Sequence, residues 1–174
     1  MKRYLVPLLL AIVVAVATHA AVIEAIPVML MRGAMSRMLS HGSSNQWLAA
    51  KRVTAQSRTV IRPSPELAYS ACVYDLSQGP VHMRVQAMND YWSLSLFEAN
   101  SDNFYIADNR TASGGVDIWL LGDRPANGPP PAGVMIVRSP SDRGIGLIRR
   151  HATNAAQWPQ IEAARREDRC ESVP

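Results

Sequence analysis

The sequence predicts a mainly β (α+β) protein: one N-terminal transmembrane helix, an antiparallel β sandwich or roll as the body, and a C-terminal helix. Three observations carry this. Leu5 to Ala17 is a run without a polar side chain. From residue 68 onward, short runs of alternating apolar and polar residues recur about every ten positions, separated by turn formers. After them, only residues 154–168 show helical spacing. A chain of 174 residues holds one domain with an appendage, and 48% hydrophobic residues exclude wholesale disorder. A net charge of +4 argues against a dedicated nucleic-acid binder. Two cysteines exclude a disulfide-rich scaffold and a cysteine zinc cage.

Residues 1–40 read as the membrane anchor. Met1-Lys2-Arg3 is a short positive head. In residues 4–23 the polar side chains after Tyr4 are Thr18 and His19. Twenty helical residues span about 30 Å, the thickness of a bilayer's hydrocarbon core. Glu24 falls at the far boundary, where a charge is tolerated. A cleaved signal peptide is the competing reading, with Ala15-Val16-Ala17 as its small residues. The apolar run continues through Ala20, Val22 and Ile23, which favours a retained anchor. Pro27 then opens either an amphipathic interfacial helix or the outer end of one long helix. Val28, Met31, Met35, Met38 and Leu39 form its apolar stripe, and Arg32, Ser36 and Ser40 lie on another face. His19 and Glu24 are five apart and do not share a helix face, so they make no proton relay.

Residues 41–67 read as a basic linker. Between residues 32 and 62 stand Arg32, Arg37, Lys51, Arg52, Arg58 and Arg62 and no acid. From residue 63 the balance is ten basic to thirteen acidic. A basic collar beside a membrane attracts anionic lipid, and a solvated linker is the plainer alternative. Lys2 and Arg3 on one side and Arg32 and Arg37 on the other leave orientation by charge a tie. A signal-like start points to an exported body. Cys72 and Cys170 suit that, because they can pair in an oxidising compartment, although two buried thiols would look the same.

Residues 68–174 read as the β body with its terminal helix. The linker before it carries one short strand at residues 59–61. Strands follow at residues 68–76, 81–85, 91–98, 104–107 and 116–121. The turn Ser77-Gln78-Gly79-Pro80 separates the first two. In the third, Trp92, Leu94 and Leu96 alternate with Ser93 and Ser95. Residues 122–133 hold Pro125, Pro129, Pro130 and Pro131 and form an extended connector. Residues 134–137 and 145–149 are two further strands. In the last helix Trp158, Ile161 and Arg165 share a face.

The run from Ala68 through Tyr69, Cys72, Tyr74 and Asp75 to Ser77, then Gly79-Pro80-Val81, resembles the domain-of-unknown-function 1254 family. Tyr91-Trp92-Ser93-Leu94-Ser95-Leu96-Phe97, Asn103-Phe104-Tyr105 and Asn109-Arg110-Thr111 extend the resemblance. His19, Pro27, Cys72 and Cys170 match the layout of its short members. One departure is visible: this chain has Asp108-Asn109-Arg110 where the family pattern has Asn-Asp-Arg. The carboxylate is displaced by one position, which in a strand turns it to the other face. The resemblance implies a membrane-anchored bacterial protein of β architecture; with the signal-like start, we expect a single-pass protein of the bacterial inner membrane and cell envelope, its body in the periplasm. It brings no reaction. It implies a separate membrane protein of the domain-of-unknown-function 1214 type as partner.

Chemistry-bearing patterns are sparse. His82, His151 and Asp75 have no metal-ligand spacing, so no metal site is assigned. Gly-x-Ser-x-Gly is absent, and Gly144-Ile145-Gly146 lacks the third glycine of a dinucleotide loop. Glu98, Asp102 and Asp108 flank a loop, where carboxylates are mostly solvated. The best polar cluster is Asp102, Asn103, Tyr105, Asp108, Asn109 and Arg110, read as a ligand or partner site or as the hydrogen bonds of a β corner. The sequence therefore yields no catalytic residue and no cofactor. We expect a binding or assembly subunit, with an enzyme or small-polar-ligand protein using residues 102–110 as the alternative. We also expect a Cys72–Cys170 bond tying the terminal helix to the first main strand.

Overall fold

The computed structural model describes residues 2–54, 57, 63–124, 128 and 131–173. The strand expected at residues 59–61 lies outside them. Helix α1 runs Lys2–Leu39 as one element, with Pro7 and Pro27 inside it. It resolves the alternatives at Pro27: the interfacial helix is not a separate element but the outer end of a long helix. Pro27 removes one hydrogen bond to the preceding turn. That loss falls beside Glu24, at the edge of the apolar run. The span Tyr4–Leu39 is long and apolar enough to cross a membrane, and none of its most apolar window is buried.

Among the described residues two sheets form the body. The first has the order β1-β2-β8-β4-β5, with β1 at Leu48–Ala49, β2 at Leu67–Asp75, β4 at Trp92–Phe97, β5 at Asn103–Asp108 and β8 at Arg143–His151. All its neighbours are antiparallel. The second has the order β7-β6-β3-β9, with β3 at Val81–Val85, β6 at Val116–Leu121, β7 at Met135–Arg138 and β9 at Arg169–Ser172. Here β6 and β7 pair in parallel, which corrects the expectation of a wholly antiparallel body. The long proline-bearing connection between them is the reason: parallel neighbours need a crossover of about a dozen residues, whereas a tight turn forces antiparallel pairing.

Both sheets contribute to one core. Tyr74, Leu94, Leu96 and Ile148 from the first meet Val81, Met83, Ile118 and Leu120 from the second. Ser93 and Ser95 face away from that core yet are also buried, because the Tyr91 hydroxyl donates to Ser93 and Arg149 donates to Ser95. Gly144 leaves room for the Tyr74 hydroxyl, which donates to the Phe97 carbonyl at 3.0 Å. A 3-10 turn at Ala155–Gln157, capped by Asn154, leads into helix α2 at Trp158–Glu167. Ile161 is fully buried on its inner face.

Two stretches depart from the sequence reading. The expected linker is tied to the body at its start: β1 pairs with β2, and the Trp47 indole donates to the Arg169 carbonyl at 2.7 Å. The Asn45 side-chain amide bonds both backbone groups of Asp75, at 2.7 and 3.0 Å. The chain end is strand β9, not more helix. Cys72 on β2 and Cys170 on β9 form a disulfide across 98 positions. It therefore links the two sheets, rather than the terminal helix to the first strand.

Helix α1 is docked on the first sheet. Met31 and Met35 are buried against Val73 and Ile145, with Ala34, Met38, Ala71 and Phe97 around them. Of the apolar stripe, Met31 and Met35 are covered by protein, while Leu39 stays exposed. The Ser101 hydroxyl donates to the Pro27 carbonyl at 3.2 Å and fixes the hairpin between β4 and β5 against the helix.

Candidate functional site

The predicted polar cluster separates into two turn caps at opposite ends of β5, their carboxylate residues about 20 Å apart at strand rise. At one end Asp102 exchanges bonds with Asn100, its N–H donating at 2.8 Å and its carboxylate accepting at 3.0 Å. At the other end the Asp108 carboxylate accepts from the N–H groups of Arg110 and Thr111 at 3.0 and 2.9 Å. The Thr111 N–H, with the Thr111 hydroxyl and Arg110, outweighs partial desolvation and holds the Asp108 pKa below 3.8. Arg110 adds an ion pair at 3.2 Å, but its side chain is 84% exposed. Asn103 is exposed, and Tyr105 packs against the core, where burial raises its pKa. The Asn109 N–H donates to Trp92. These contacts brace a β corner, and they do not bring the six side chains onto one ligand.

The two body histidines stand apart. His82 lies on the outer face of the second sheet, with Nε2 2.7 Å from Asp117 and Nδ1 3.5 Å from Glu171. His151 lies at the end of β8, with Nδ1 2.6 Å from Asp90, which also accepts from Gln157. Asp75 is held by Arg143 and Ser77. Among the described residues no group of three His, Cys, Asp or Glu has the geometry to hold a metal ion.

Sequence reasoning missed the strongest electrostatic feature. Arg150 and Asp168 form a two-pronged ion pair at 2.8 and 2.7 Å, each side chain 1% exposed. The Gln86 N–H donates to the same carboxylate, and its carbonyl accepts from Arg150. The pair clamps β8 of one sheet to the start of β9 in the other. Its signal was the alternation of β8: Ile148 faces the core, so Arg150 must too. An open cleft of about 560 Å³ lies nearby, between residues 86–89 and α2. A second cleft, also about 560 Å³, opens where α1 meets the first sheet. Arg32, Ser36 and Ser40 form one wall, and Val73, Asp75 and Arg143 the other.

A family model described as "Protein of unknown function (DUF1254)" matches residues 44–172. No curated protein matches the chain. Among solved structures the fold is similar to that of the VPA0106 protein from Vibrio parahaemolyticus, with a TM-score of 0.65 and 17% identity. That match covers 87% of this chain and 37% of the other. A putative uncharacterized protein from Burkholderia cenocepacia aligns at a TM-score of 0.45 and 14% identity, over 64% of this chain and 32% of the other. The chain spans about a third of the length of each.

Proposed function

We propose that this chain, which belongs to the DUF1254 family, is a membrane-anchored envelope protein that acts as a binding or assembly subunit with a separate membrane partner. One observation carries the reading: the apolar helix runs unbroken from its span into the buried contact of Met31 and Met35 with Val73 and Ile145. A helix docked this way positions the body rather than merely tethering it. The partner in this reading is a separate membrane protein of the domain-of-unknown-function 1214 type. We place the protein in the bacterial inner membrane with its body in the periplasm, where the Cys72–Cys170 bond is stable. The competing reading, an enzyme or small-ligand protein using residues 102–110, has against it the separate caps of Asp102 and Asp108.

The test is alkaline extraction of native membranes followed by intact mass of the recovered chain. The reading expects the protein in the pellet with residues 2–39 present. A soluble protein lacking the apolar segment refutes it.

A further inference from the structure

The cleft between α1 and the first sheet is not used by the function above. We propose that it binds the headgroup phosphate of an anionic phospholipid, an inference that rests on α1 being a retained anchor. Arg32 stands eight residues beyond Glu24, about 12 Å along the helix axis. The headgroup layer extends about 5–8 Å beyond the hydrocarbon. Helical side chains lean toward the helix N-terminus, which here is the membrane side, so the guanidinium reaches back to headgroup depth. The contact of Ser101 with Pro27 holds the body close to that surface.

The chemistry of the walls selects the ligand. Arg32 and Ser36 lie one turn apart on one face of α1, and Ser40 follows just past its end. Among the described residues the Arg32 guanidinium and the Ser36 and Ser44 hydroxyls have no hydrogen-bond or ion-pair partner. Arg143 is matched by Asp75 at 2.7 Å, which leaves Arg32 as the one uncompensated charge of the lining. One surplus positive charge beside a carboxylate suits a singly charged phosphodiester better than a dianionic free phosphate. Met35 and Leu39 give the cleft an apolar side. Met29, 67% exposed and three residues before Arg32 on the neighbouring helix face, extends that apolar side toward the membrane.

The experiment uses the full chain in detergent micelles, with lipid binding counted by native mass spectrometry. Phosphatidylglycerol should bind, phosphatidylcholine should not, and Arg32→Gln should weaken phosphatidylglycerol about fivefold. Arg84→Gln removes the same charge from the second sheet and should leave binding unchanged. Equal binding of both lipids, equal loss in both variants, or displacement by millimolar inorganic phosphate overturns the proposal. Flotation of wild type and Arg32→Gln with vesicles of phosphatidylcholine alone separates the two readings. If both float, the anchor stands whatever the cleft does. If neither floats, the anchor reading fails, and the lipid site with it.

Discussion

At the residue scale the decisive groups are the buried ion pair and the capping carboxylates. Asp168→Ala leaves the Arg150 charge buried without its partner, so unfolding free energy should fall by about 3–5 kcal/mol in denaturant titrations. Replacing both residues by apolar ones should recover most of that loss, because neither charge is then stranded. Three carboxyls sit below their ordinary 3.8. Burial pushes Asp75 up, but Ser77 and Arg143 outweigh it, while His151 is the largest influence lowering Asp90. A lowered folded value stabilises the fold above the unfolded pKa, and that contribution is lost as pH falls through the folded one. Stability measured in urea should therefore hold down to about pH 4 and then decline. The double variant Asp75→Asn and Asp108→Asn should flatten that decline, and an unchanged acid slope would contradict these assignments. Alternation along β8 made Arg150 legible as an inward residue. Its partner was not legible, since no local pattern brings residue 168 back beneath residue 150.

At the scale of elements, strands with clear alternation were read to within a residue or two, as at Trp92, Leu94 and Leu96. Leu48–Ala49 and Arg169–Ser172 escaped because each is short and borrows its partner from far along the chain. The same non-locality hid the parallel pairing of β6 and β7, which depends on connection length rather than strand composition. Two elements carry predictions. Cys72→Ser with Cys170→Ser opens a loop of 98 positions that now joins the two sheets. Stability should drop by about 2–5 kcal/mol, read from denaturation with and without reductant. Ready alkylation of both thiols in the native protein without reductant would contradict the bond. For α1, Met31→Ala with Met35→Ala should speed amide exchange over residues 30–39 about tenfold or more, while the body core stays protected. Unchanged exchange would mean that the methionine contact does not hold the helix.

At the scale of the whole molecule, the amino-acid sequence located the long apolar helix and the β body but could not show how they join. The stripe of Met31 and Met35 left an interfacial helix and the outer end of a long helix both open, because an apolar helix face looks the same whether lipid or protein covers it. Asp102 and Asp108 read as one cluster because they stand six positions apart in sequence, which along a strand is about 20 Å in space. In the joined architecture Met31 and Met35 seat the apolar helix on the first sheet, and Asp102 and Asp108 each cap a turn. Under the function proposed above, such a molecule acts through what it holds. The most direct measurement is affinity purification of the full-length, C-terminally tagged chain from detergent-solubilised native membranes, with mass spectrometry of whatever accompanies it. A stoichiometric second membrane protein, lost when Met31 and Met35 are replaced, is the expected result. Recovery of the chain alone, in every mild detergent tried, would contradict a role as an assembly subunit.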